Sequence, residues 1–198
     1  MRSEVAPQVR RTTTFYELGA TSLFELVAEF RAVAGRGGVP LWYGLTKWDI
    51  RLDVSPEYGT RTSCSTDRVM LRVALTTVLP KAVRSEDFSP EEAIEWQRFL
   101  TALIRHEAQH DSIVVANTTA FLRDVERDAN REGGPTSIDQ CVASLLERIE
   151  HASRTFDTRT QHGGKEGAAL RVFRRTTPGL SLPRPSNIPA DWSRTTLP

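Results

Sequence analysis

The feature that most constrains this chain is a long helical pattern that opens at Ser89-Pro90-Glu91-Glu92. Serine stands at the N-cap, proline at the first helical position and glutamate at the third. This is a capping box, in which side chains satisfy amide groups that the first turn leaves unpaired. The pattern runs from Glu91 to about Asn130, and Gly133-Gly134-Pro135 breaks it. A second helix is expected from Thr136 or Ser137, with Ile138, Cys141, Val142, Leu145, Leu146 and Ile149 on its apolar face. It fades near His162 and meets Gly163-Gly164. Two helices of this kind each present an apolar stripe that must be buried against something.

The N-terminal half supplies the partner. Thr12 to Leu18 is β-branched and aromatic and predicts a short strand. Thr21 or Ser22 then caps a helix carrying Leu23, Leu26, Val27 and Phe30, which ends at Gly35-Arg36-Gly37-Gly38. Trp48, Ile50, Leu52 and Val54 alternate with Lys47, Asp49, Arg51 and Asp53, so a strand with one wet face is expected. Val69, Leu71, Val73 and Leu75 alternate likewise, in a strand ending near Leu79-Pro80 that could pair with the previous one as a hairpin. The expectation is an α+β fold, a small antiparallel sheet packed on two long helices. Residues 1–11 read as a flexible N-terminus, 12–175 as the domain, and 176–198 as a Pro-rich tail.

Composition excludes several function classes. The 198 residues are 39% hydrophobic and 26% charged, ordinary for one globular domain with a core. With 26 basic and 25 acidic residues the net charge is +1, and no basic stripe interleaves with aromatics, so no nucleic-acid partner is expected. No stretch of 18 apolar residues exists to span a membrane. Met1 to Thr14 holds Arg2, Arg10 and Arg11 without an apolar run after them, so the chain as written reads as cytoplasmic, or secreted if a leader has been trimmed. Oligomeric state is not readable. Cys64 and Cys141 stand too far apart for a metal knuckle and read either as buried thiols or as one disulfide.

Chemistry is carried by His106-Glu107-Ala108-Gln109-His110. On a helix, histidines at i and i+4 share one face and can reach one ion, while glutamate at i+1 lies close to the ion without ligating it. That suits Zn2+ held by two imidazoles, with Glu107 as general base toward zinc-bound water. The helix is predicted independently of the motif, and its apolar face runs through Trp96, Phe99, Leu100 and Leu103 to His106, His110, Ile113 and Val114. Two inward imidazoles without partners are costly to bury, and a shared metal removes that cost. Zinc in a hydrolase commonly takes three protein ligands. The third is expected downstream, among His162, Asp157, Glu147, Glu150 and His151. Arg105, Arg159 and Tyr43 are candidates for substrate binding.

Several pieces in order carry a resemblance: Gly19-Ala20-Thr21-Ser22-Leu23, Gly44-Leu45-Thr46-Lys47-Trp48-Asp49, Cys64, Leu79-Pro80, Trp96 and Phe99 before His106 to His110, Cys141, Asp157-Thr158-Arg159-Thr160-Gln161-His162-Gly163, and Gly167-Ala168. Over about residues 12–173 the chain resembles a bacterial HExxH family of unknown function described as predicted secreted zinc-dependent proteases. The resemblance implies His162 as third ligand, Asp157 as its partner or rival, and a disulfide between Cys64 and Cys141. Phe156 stands where that family tends to have tyrosine.

The leading expectation is therefore a zincin-like zinc metallopeptidase, with His106, His110 and His162 on the ion, Glu107 as the base, and a peptide or small amide as substrate. Two alternatives are a non-peptidase zinc enzyme in a biosynthetic pathway, and a binding module stabilised by a structural zinc.

Overall fold

The computed structural model describes residues 6–35, 43–54, 69–128 and 138–171. The strands are β1 (Gln8–Leu18), β2 (Leu45–Val54) and β3 (Val69–Ala82), and the helices are α1 (Leu23–Gly35), α2 (Pro90–Asp128) and α3 (Ile138–Thr160). The protein is thus α+β, with one three-stranded sheet in the order β1-β3-β2 and β3 hydrogen-bonded to both neighbours. Short 3-10 turns occupy Ser85–Asp87 and Gly164–Glu166. The expected tail at 176–198, Arg36-Gly37-Gly38, Gly133-Gly134-Pro135 and Cys64 lie outside the described residues.

Both helix starts follow the sequence closely. Ser89 Oγ accepts from the Glu92 amide at 3.3 Å, and the Glu92 carboxylate accepts from the Ser89 amide at 3.0 Å. α1 repeats the device, with the Glu25 amide donating to Ser22 Oγ at 3.3 Å and Glu25 Oε2 accepting from the Thr21 amide at 2.8 Å. Glu92 does a second task, since its Oε1 accepts from the Leu23 amide at 3.2 Å.

The chain clusters into two compact units, each with its own core. The first comprises Met1–Thr13, Thr46–Thr77 and Glu107–Arg159. Its core is built by Leu71, Val73 and Leu75 at period two on β3, by Val114, Phe121, Leu122 and Val125 on α2, and by Leu145 and Ile149 on α3. Trp48, Ile50 and Leu52 of β2 pack against it, with Cys141, which is disulfide-bonded. Strands therefore do pack on the two long helices here. Each fully buried aliphatic side chain contributes about 1.5–3 kcal/mol.

The second unit comprises Thr14–Leu45, Val78–His106 and Thr160–Pro198. Its core joins Leu18, Leu23, Leu26 and Phe30 to Trp96, Phe99 and Leu103 on α2. Tyr43 belongs to this core: its ring stands edge-on to Phe30 at 4.8 Å and to Phe99 at 5.2 Å. Burial pushes its hydroxyl pKa up.

Two boundaries depart from expectation. β1 begins at Gln8, so Gln8–Arg11 belong to a strand and not to a flexible N-terminus. Arg10 to Phe15 are all exposed, so no alternation marks this stretch in the sequence. Val9 packs on the first core, and Arg11 Nε donates to Asp111 Oδ2 at 3.2 Å. α3 stops at Thr160, because Gln161, His162 and Gly163 take left-handed φ values of 53°, 51° and 79°.

Candidate metal centre

α2 runs unbroken through the motif, so His106 and His110 stand one turn apart on it. His106 is 4% exposed and His110 half-buried, as the inward face expected for them requires, and Glu107, not expected on that face, is 4% exposed as well. The reason is the stripe they continue: Phe99 and Leu103 precede them on the buried side, and Val114 follows.

α3 brings the next group. Asp157 Oδ1 lies 3.0 Å from His110 Nε2, and the Phe156 ring stands edge-on to the imidazole at 5.1 Å. His106, His110 and Asp157 each offer a ligand atom, and these atoms lie within 4.8 Å of one another. Two ligands on a tetrahedral zinc, at about 2.0–2.2 Å each, stand about 3.3 Å apart. The His110–Asp157 spacing suits a shared ion as well as a direct hydrogen bond. Two imidazoles with one carboxylate is also a donor set that zinc accepts. The residues present fit the metal.

The imidazole of His106 has a partner on its other side. Its Nδ1 lies 3.0 Å from Glu166 Oε2, on the short turn after α3. An ionised carboxylate only accepts, so Nδ1 is the donor in this contact, and Nε2 is the nitrogen that a metal would take. Carboxylates commonly stand behind metal-ligating histidines in this way, fixing ring and tautomer. Gly163 packs directly on the ring. Glu107 is anchored too: Thr46 Oγ1, at the start of β2, lies 2.8 Å from Glu107 Oε2 and 3.3 Å from its main-chain carbonyl oxygen.

The other candidates stand elsewhere. His162 is exposed in the left-handed turn and is not in the group of three. Glu147 and His151 are exposed, and Glu150 pairs with Arg154 at 3.2 Å. The arrangement thus brings in Asp157, the rival, where the resemblance put His162 first. Arg159 lies over the Phe156 ring at 5.6 Å. Arg105 lines a cleft of about 350 Å³ together with Gln97, Arg98, Thr101, Ala102 and Glu166. Sequence reasoning missed the tasks of Thr46 and Glu166. Thr46 had a signal, its place in the run Gly44 to Asp49, but Glu166 had none beyond its flanking glycines.

Fold and site together define an α+β protein with a candidate metal centre on the inward face of a long helix. The model of a bacterial family, described as bacterial protein of unknown function (DUF922), matches residues 13–163, and the chain belongs to that family. No curated protein and no solved structure matches the chain. Among the described residues no helix is long and apolar enough to cross a membrane.

Proposed function

We propose that this protein is a zinc-dependent hydrolase of the zincin type that cleaves peptide bonds. One observation carries the reading: a single turn of α2 bears two imidazoles and, between them, a buried carboxylate that ligand spacing does not require. Glu107 is not in the group of three, yet it is 4% exposed and its Oε2 is held by Thr46. A helix uses such a residue as a base more readily than as filler, because burying an acid with no task is costly. The resemblance to predicted zinc-dependent proteases points the same way.

His106, His110 and Asp157 would hold the ion. When bound, zinc polarises a carbonyl and lowers the pKa of water. The chain's own residues do the rest. Glu166 keeps the His106 ring in one orientation. Thr46 fixes one oxygen of Glu107. The Glu107 carboxylate takes a proton from the attacking water and returns it to the departing amine.

Elemental analysis of protein purified without added metal is expected to find about one zinc per chain, lost in Asp157→Ala and in the His106→Ala/His110→Ala pair but kept in His162→Ala. Glu107→Gln should keep metal and fold while hydrolysis falls by about 10²–10⁴. Peptides, small amides and esters screened side by side identify the bond cleaved. Metal held equally by the double histidine variant sinks the centre, and a fully active Glu107→Gln sinks the base. A metal-bearing chain that hydrolyses none of these substrates and ignores Glu107→Gln is the structural-zinc binding module.

A further inference from the structure

Glu166 is 35% exposed, so its own packing does not hold it against His106. It rides on a segment that crosses the ring on backbone suited to glycine. At Gly163, φ +79°, a Cβ would meet His106 Cγ at 3.0 Å and Nδ1 at 3.2 Å. At Gly167, φ +94°, a Cβ would meet Arg98 Nη1 at 2.9 Å. A short irregular stretch of this kind loses much conformational freedom when it is ordered, and something must hold it.

Arg98 does so. Its Nη1 donates to the Gly167 carbonyl and its Nη2 to the Ala169 carbonyl, each at 2.7 Å. The same guanidinium is gripped from below by Glu95, with Nε to Oε2 and Nη2 to Oε1 both at 2.7 Å. Glu95 is 5% exposed, and its Oε1 also accepts from the Arg171 amide at 2.8 Å. A bidentate, charge-assisted pair is directional where an exposed ion pair is not. Two residues three apart on α2 thus tie down three backbone groups of one segment. All of these contacts lie within the second unit.

We propose that Glu95 and Arg98 are positioning residues for His106: they clamp the segment from Gly163 to Arg171 so that Glu166 holds the imidazole as the Nδ1–H tautomer, with Nε2 presented to a metal. The use of that tautomer rests on the zinc reading above. The tautomer itself is a property of the metal-free chain, so the two fail separately.

The test is carried out on the full chain. Imidazole ¹⁵N shifts of metal-free protein report the His106 tautomer, and competition with a zinc chelator reports affinity. Amide spectra check that each variant is folded. Arg98→Met is expected to mix the tautomers and to weaken zinc binding about 10- to 100-fold, and the same is expected of Glu166→Ala. Because the clamp acts through Glu166, the double variant should be no worse than Glu166→Ala alone. Glu95→Gln keeps the shape and should shift the tautomer in the same direction by less; it decides the matter if Arg98→Met does not fold. A folded Arg98→Met or Glu95→Gln with an unchanged His106 tautomer overturns the proposal, as do zinc losses that multiply in the double variant. If the parent binds no zinc the hydrolase reading falls, and the tautomer measurement still decides the clamp.

Discussion

Gly163 shows how tightly the site is drawn at the scale of single residues. Its φ of +79° lies in the left-handed region, and the atoms a methyl would meet include His106 Cγ and the Ala168 Cβ at 2.9 Å. Gly163→Ala is therefore expected to lower stability by about 1–2 kcal/mol from backbone strain alone, and to weaken metal binding because the imidazole must move. Thermal denaturation and metal titration of the variant check both. Gln161 and His162 adopt the same region without being glycine, at φ 53° and 51°. Held strain of this kind collects near functional sites. Here it turns the chain back after α3 so that Gly164–Glu166 reaches His106.

Among the elements, α2 was the most legible and α3 the most deceptive at its end. The capping box at Ser89 and Glu92 is present in both directions. Ser89→Ala is expected to cost about 1 kcal/mol. Glu92→Ala should cost more, since it also removes the acceptor of the Leu23 amide. Urea denaturation of both variants measures the order, and equal losses would mean that the contact with α1 contributes nothing. The sequence pattern carries α3 two residues past its end at Thr160, because Gln161 and His162 are not helix breakers and only their left-handed φ values stop it. The start of β1 is hidden for the opposite reason: from Arg10 to Phe15 every residue is exposed and there is no periodicity to read, and the strand's hydrogen bonds are made to β3.

At the scale of the whole molecule, Glu25, Glu29 and Glu95 among the described residues bear on the response to acid. Hydrogen bonds from Arg98 hold the Glu95 pKa below its ordinary value of 4.5, and those from Thr21 do the same for Glu25. Groups lowered in the fold contribute stability that is complete above the unfolded pKa and is lost as pH falls through the folded one. Glu29 has the opposite sign, because burial pushes its carboxyl up. It opposes folding at neutral pH and ceases to do so as it protonates. The contribution of Glu95 and Glu25 to the melting temperature should therefore be complete at neutral pH and be lost as the pH falls below about 4.5. Glu95→Gln should make that loss shallower; a melting curve as steep as the parent's would show that the pair does not contribute to acid sensitivity.

The chain by itself determined what neighbours in sequence can decide. Capping needs residues three apart, a helical face needs those three and four apart, and a strand needs alternate ones. So the α+β class, the start of α2 and the inward pair of histidines could be read directly. What completes the centre is paired across long separations: His110 with Asp157 at 47 residues, His106 with Glu166 at 60, Glu107 with Thr46 at 61, and Arg98 with Gly167 at 69. No local spacing encodes such contacts. They form only when cores bring the elements together, and a turn of left-handed residues then settles which side chain faces inward. That is why the histidines on α2 can be read from the sequence, while the grouping of Asp157 with them, and the contact of Glu166 with His106, emerge only from the tertiary structure.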